Sequence, residues 1–217
     1  MNNTRWWLIR HAPVPNPDKL IYGQDDPPSD TGDATALAEL ASRLPQRAVW
    51  VTSHLRRTRQ TALALRLPGS DMALVERDLA EQSFGAWEGL SHDAVADRFP
   101  EEARRFWSAP ATEVPPGGES FAAVMARVAV AVRRLTAAHA GRDIVAVIHG
   151  GSIRAALALA LDLTPDAALR LAVAPLSLSR IDHYGGPDGG PDGGGGGGDS
   201  WSVSALNALG TFSAAPR

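Results

Sequence analysis

Trp6-Trp7-Leu8-Ile9-Arg10-His11 is a short apolar run that ends on a guanidinium and an imidazole. Read as a strand, it delivers both groups together at one edge of a sheet. Imidazole is a nucleophile and a proton carrier near neutral pH. Guanidinium is the side chain best shaped to grip a phosphate. Arg-His alone is a common pair; its weight comes from three further segments that suit the same chemistry.

The second segment, Thr52-Ser53-His54-Leu55-Arg56-Arg57-Thr58-Arg59-Gln60-Thr61-Ala62, follows the apolar run Ala48–Val51 and opens a helical stretch. Ser53 reads as its N-cap, which places Arg57 in the first turn among backbone N–H groups that favour an anion. Arg56 and Arg59 read as a solvated basic face. The third segment is Ile144–Ile148, an uninterrupted buried-type strand that ends in His149-Gly150-Gly151-Ser152 and leads into an apolar helical stretch. Glycines such as Gly150 at a strand-to-helix turn let backbone approach a ligand closely. The fourth, Leu79-Ala80-Glu81-Gln82-Ser83-Phe84-Gly85-Ala86-Trp87-Glu88-Gly89, sets carboxylates beside an aromatic loop.

In this order, and with the Pro-Gly-Gly-Glu-Ser loop at 116–120, these blocks resemble the histidine phosphatase superfamily, the phosphoglycerate mutase-like fold. The resemblance runs from Ile9 to Arg154. It implies that His11 is a phosphorylated nucleophile, that Arg10, Arg57 and His149 form a phosphate pocket, and that Glu81 is the proton donor. It extends the substrate-binding set to Asn16, Tyr22 and Gly150. The family pattern after Arg-His is Gly-x-Thr/Ser-x-x-Asn, whereas this chain reads Ala12-Pro13-Val14-Pro15-Asn16-Pro17. Ala12 and Val14 replace the glycine and the hydroxyl, Asn16 falls one position early, and three prolines stiffen the loop. Tyr22-Gly23-Gln24-Asp25-Asp26-Pro27-Pro28 resembles a second family stretch with one residue missing.

Composition sets the outer bounds. A chain of 217 residues with 44% apolar content suits one α/β domain, taken here as 1–217. A net charge of −3 offers no basic field for nucleic acid. The absence of cysteine excludes disulfides and a thiol nucleophile. The apolar runs are too short to span a membrane, and no signal-peptide pattern is visible, so a cytoplasmic location is expected. No metal-ligand spacing links the six histidines. Neither metal nor cofactor is therefore expected, and the partner is a small phosphorylated metabolite. A homodimer is left open.

Apolar runs alternate with amphipathic stretches, which argues for an α/β three-layer sandwich: a mainly parallel central sheet flanked by helices. Strands are expected near 6–9, 49–52, 144–148, 177–184 and 202–206, and helices near 33–44, 55–66, 92–98, 101–108, 120–140 and 151–161. By resemblance, 88–120 forms a small helical cap over the site. Trp87, Phe99, Phe106 and Trp107 either line a pocket there or pack the cap onto the body. The tract 185–198 holds ten glycines, two prolines and two aspartates, and is expected to be a disordered loop between two strands.

The chemistry these residues suit is phosphoryl transfer. Arg10, Arg57 and His149 would neutralise the equatorial oxygens, His11 would attack in line, and Glu81 would protonate the leaving oxygen. Glu88 is a rival acid that could instead brace its turn, and Glu119 reads as the start of the long helix. The short cap favours a phosphatase, similar to the α-ribazole-phosphate type, on a small phosphomonoester. The alternatives are mutase-type transfer and a non-catalytic phospho-ligand module.

Overall fold

The computed structural model describes residues 2–185 and 200–209. A six-stranded sheet runs in the order β3-β2-β4-β1-β5-β6. Its strands are β1 (Asn2–Arg10), β2 (Val49–Thr52), β3 (Leu74–Val75), β4 (Asp143–Ile148), β5 (Leu178–Gly185) and β6 (Ser200–Ala208). The first four to be paired, β3, β2, β4 and β1, are mutually parallel, and β5 and β6 are added antiparallel. The helices are α1 (Ala34–Ser42), α2 (Arg56–Ala64), α3 (His92–Arg98), α4 (Pro100–Ser108), α5 (Phe121–Ala138), α6 (Gly150–Leu161) and α7 (Pro165–Leu169).

The central strands are apolar on both sides because both sides are covered. Trp6, Leu8, Ile144, Ala146 and Ile148 face α5 and α6, meeting Val124, Val128, Ile153 and Leu157. The alternate residues Ile9, Val145 and Val147 face the other way, toward Leu37, Leu40, Ala62 and Leu65 of α1, α2 and the α2 C-cap. The Trp6 indole is completely buried and donates to Thr136 Oγ1 at 2.9 Å, tying β1 to α5. A third, smaller cluster gathers Ile21, Trp87, Val95, Ala103 and Phe106 around α3 and α4.

Strand pairing positions the chemistry. β1 and β4 are parallel neighbours with Arg10 opposite Ile148, and the His11 amide donates to the Ile148 carbonyl at 3.0 Å. His11 and His149 therefore leave the sheet side by side, at the carboxyl ends of adjacent strands where open α/β sheets place ligands.

Two elements were not anticipated. β3 is two residues long with both side chains exposed, so it shows neither alternation nor an apolar run. α7 is a single short turn, although Thr164 caps it and Pro165 occupies its first position. The glycine tract lies outside the described residues except for Gly185, which ends β5. The described strands on either side of it, β5 and β6, pair with each other.

Candidate active site

The His11 ring is 2% exposed, and its Nδ1 lies 2.7 Å from the Ala12 carbonyl oxygen. A carbonyl can only accept, so Nδ1 carries the hydrogen. Burial, aided by the Arg57 and Arg10 cations and opposed by the Ala12 carbonyl, holds the ring's pKa down to about 3. The ring is thus neutral at physiological pH, with its lone pair on Nε2. Ala12 is pinned in turn: its amide donates to Thr61 Oγ1 at 2.9 Å, and that hydroxyl donates to the Arg57 carbonyl at 2.8 Å. The glycine-to-alanine and hydroxyl-to-valine departures after Arg-His leave this anchoring intact.

His149 stands edge-on to His11, with ring centroids 5.2 Å apart. It is fully buried, and desolvation, then Arg57, then His11 push its pKa well below the usual value. Its Nε2 is 2.8 Å from Ser53 Oγ, while Nδ1 has no partner among the described residues. Arg57 is also fully buried. It donates to the Asp25 carbonyl at 2.7 Å and the Gly23 carbonyl at 2.6 Å, and its guanidinium lies 5.0 Å from the Tyr22 ring centre. Burial lowers the Arg57 pKa, and Glu81 opposes that shift. Arg10 is held by the Val173 carbonyl at 2.6 Å.

Glu81 meets the start of α6. Its Oε1 accepts from the Gly151 amide at 3.2 Å and from the Gln82 amide at 2.9 Å. A Cβ at Gly151 would stand 2.2 Å from that oxygen, so only glycine permits the approach. At Gly150, by contrast, a Cβ would meet Arg10 Nε at an ordinary 3.6 Å. The expected ligand-approach glycine lies beside the arginine, while its neighbour is the one the geometry requires. The backbone of Glu81 is fixed by Gln24 Nε2 at 3.0 Å and Arg127 Nη2 at 3.1 Å, both donating to its carbonyl.

Beside Glu81 opens a cavity of about 330 Å³ whose walls include Tyr22, Phe106, Trp107, His92, Gly151 and Arg154. Of the four aromatics Trp87, Phe99, Phe106 and Trp107, the last two line this cavity, and Phe106 also packs with Trp87 and Phe99 around α3 and α4. A larger groove of about 820 Å³ between α1 and α2 contains none of the expected site residues.

Several single-residue expectations change. Asn16 donates to the Leu20 carbonyl and accepts from the Leu20 amide, both at 2.9 Å. Both ends of its amide are engaged, so it closes its own loop and does not reach for a ligand. Ser53 is not the α2 N-cap; that position is Leu55, and the Ser53 hydroxyl accepts from the Leu55 amide while contacting His149. Glu119 does not start the long helix, which Ser120 caps; its carboxylate pairs with Arg127 at 2.8 Å and accepts from the Ser83 amide. Glu88 accepts from the Gln24 and Phe84 amides at 3.0 and 2.8 Å and so braces its loop. Ser53, Gln24, Gly151, Arg127 and Arg154 were not singled out as site residues. Gly151, Ser53 and Gln24 stood in stretches already recognised.

A family model described as histidine phosphatase superfamily (branch 1) matches residues 6–188. A bifunctional protein of Mycobacterium tuberculosis is 35% identical over 186 residues, covering 83% of this chain and 50% of that protein, so the chain spans about half the length of that curated relative. A glucosyl-3-phosphoglycerate phosphatase of Mycolicibacterium vanbaalenii is 35% identical over 178 residues, covering 76% of this chain and 78% of the relative. The solved structure of the α-ribazole phosphatase from Shigella flexneri superposes with a TM-score of 0.77 over 95% of this chain and 98% of the other; at 24% identity, it establishes the shared fold. With the family model reaching five of the six described strands and every block that carries the candidate site, this chain belongs to branch 1 of the histidine phosphatase superfamily.

Proposed function

We propose that the chain is a phosphatase that hydrolyses a small phosphomonoester through a phosphohistidine at His11. The observation that carries this reading is the His11 ring itself, neutral by burial, with Nδ1–H engaged by Ala12 and Nε2 left as the nucleophile. The Nε2 lone pair attacks phosphorus as the P–O ester bond breaks. Arg10, Arg57 and His149 meet the charge on the equatorial oxygens, a contribution of preorganised donors that grows as the transition state forms. Glu81 passes its proton to the departing alkoxide. Its carboxylate then takes a proton from water, the oxygen attacks phosphorus, and the P–N bond breaks to free inorganic phosphate and neutral His11. Tyr22 and Gly150 complete the substrate-binding surface, and 88–120 acts as the cap of a single 1–217 domain. The relative named for glucosyl-3-phosphoglycerate supports a small phosphorylated metabolite as the substrate class.

The test is phosphate release from a panel of phosphomonoesters, with mass spectrometry of the acid-quench-sensitive adduct on His11. The expected outcome is turnover that persists in excess EDTA, because the protein's own cations and ring donors face the phosphoryl group. His11→Ala is expected to lose roughly three orders of magnitude or more in kcat. Near-normal turnover in that variant sinks the mechanism. Conversion of 3-phosphoglycerate to its 2-isomer without phosphate release reassigns the chain to mutase-type transfer.

A further inference from the structure

The turn at 174–177, on the way from α7 to β5, holds Arg10 by its backbone. The Arg10 amide donates to the Ser177 carbonyl at 3.2 Å, and the Arg10 carbonyl accepts from the Leu176 amide at 3.0 Å. The side chain is held by the peptide that joins Val173 to Ala174. The carbonyl of that peptide accepts from Arg10 Nη1 at 2.6 Å. Its N–H, on Ala174, donates to Asn207 Oδ1 at 2.7 Å. A peptide group is planar, and in the trans form its C=O and N–H point in opposite directions. Asn207 and Arg10 therefore grip the two ends of one rigid plate, and neither contact survives a rotation of that plate about the chain.

The turn itself is strained. The Ser177 amide closes it onto the Ala174 carbonyl at 3.1 Å, Pro175 stands at its second position, and Leu176 at its third has φ of 56°. A positive φ at that position is the demand of a type II turn, met at little cost by Gly or Asn. A leucine persists there only where its surroundings hold it. One such hold comes from the edge of the sheet. Leu178 pairs with Ala208 and Arg180 with Ala205, so Ser179 alone faces both Leu206 and Asn207. The extra residue is a β-bulge, a device that turns a side chain out of the alternation of its strand. Asn207 takes the left-handed conformation this needs, with φ of 49°, and its amide donates to Ser179 Oγ at 3.0 Å. The side chain so redirected is the one that meets Ala174.

Resting on the phosphatase reading, we infer that Asn207 is a positioning residue for phosphate binding: it fixes the peptide between Val173 and Ala174, and through it the Arg10 guanidinium proposed to meet the phosphoryl group.

The experiment measures the dissociation constant of inorganic phosphate by phosphorus NMR titration, with kinetics on p-nitrophenyl phosphate beside it, in the wild type, Asn207→Gly and Asn207→Asp. Glycine keeps the left-handed backbone and removes the acceptor, whereas aspartate keeps both. In Asn207→Gly the phosphate dissociation constant and KM are expected to rise together by about threefold to tenfold, the range of one hydrogen bond. Asn207→Asp is expected to recover most of the loss. Ser179→Ala loosens the bulge without touching the Asn207 side chain; it is expected to show a smaller rise of the same kind, and it decides the matter should Asn207→Gly fail to fold. Unchanged phosphate affinity in a folded Asn207→Gly, however far its urea midpoint falls, overturns the inference and leaves the phosphatase reading in place. Affinity as weak in Asn207→Asp as in Asn207→Gly also overturns it. A wild type that binds phosphate but releases none from p-nitrophenyl phosphate overturns the phosphatase reading, while the titration still decides whether Asn207 sets the Arg10 contact.

Discussion

Gly151 lacks a side chain because the Glu81 carboxylate occupies the place where one would begin. The contact couples the first turn of α6 to the acid proposed to serve both half-reactions. Gly151→Ala would force the carboxylate aside, and a displacement of about 1 Å can cost a hundredfold in rate. The expected loss falls on esters with poor leaving groups and largely spares p-nitrophenyl phosphate, whose nitrophenolate departs without a proton. Glu81→Gln is expected to show the same selectivity, and adding Gly151→Ala to it should cost little more, because the two changes act on one interaction. Fully additive losses in the double variant would show that Gly151 acts elsewhere.

Among the elements, α5 does more than cover the sheet. From its second turn Arg127 donates to Glu119 through Nε and Nη2 at 3.0 and 2.8 Å, and to the carbonyls of Asp78, Ala80 and Glu81. One planar fork thereby clamps the loop that carries Glu81 onto a helix packed in the core. Arg127 and Glu119 are each about four-fifths buried. Removing the cation leaves a largely desolvated carboxylate and takes the donor from the Asp78 carbonyl, while Ala80 keeps Ser152 and Glu81 keeps Gln24. Arg127→Met is therefore expected to lower unfolding free energy in urea by about 2 kcal/mol or more, with Arg127→Lys intermediate. A change below about 0.5 kcal/mol, the level of an ordinary surface substitution, would mean that the clamp holds nothing.

For the whole molecule, the buried neutral histidines set an acid limit. The native pKa of His11 is about 3 and that of His149 lies well below the usual 6.5, whereas in the unfolded chain both titrate near 6.5. Below that value the unfolded state binds protons that the native state refuses, so stability falls as the pH falls. The stability is complete above about pH 6.5, and for His11 the decline continues toward about pH 3. Urea midpoints between pH 6.5 and 4.5, above the main carboxylate range, are expected to report a loss of about 2 kcal/mol or more. A His11→Asn, His149→Asn double variant should show a flatter profile. An equal slope in both proteins would assign the acid sensitivity to other groups.

The amino-acid sequence alone determined which segments become the buried strands, because apolar runs such as Trp6–Ile9 and Ile144–Ile148 have to be covered on both faces wherever they lie. His92–Arg98 and Val49–Thr52 were legible to the residue, and the rest of the main helices and strands to within a few residues. The residues proposed to form a phosphate pocket were also legible as candidates, since each ends a strand or opens a helix within a compact motif. β3 was not, because two exposed residues carry no local pattern and are held only by pairing with β2. Nor were the roles of Asn16, Glu119, Arg127 and Arg154. Each depends on which partner the chain brings near: Leu20 four residues from Asn16, but the loop at 78–81 for Arg127 and the carbonyl of Leu171 for Arg154. Hydrogen bonds and desolvation act over a few ångströms in space and are blind to separation along the chain. Only the assembled fold could decide which imidazole is neutral and which glycine faces the acid.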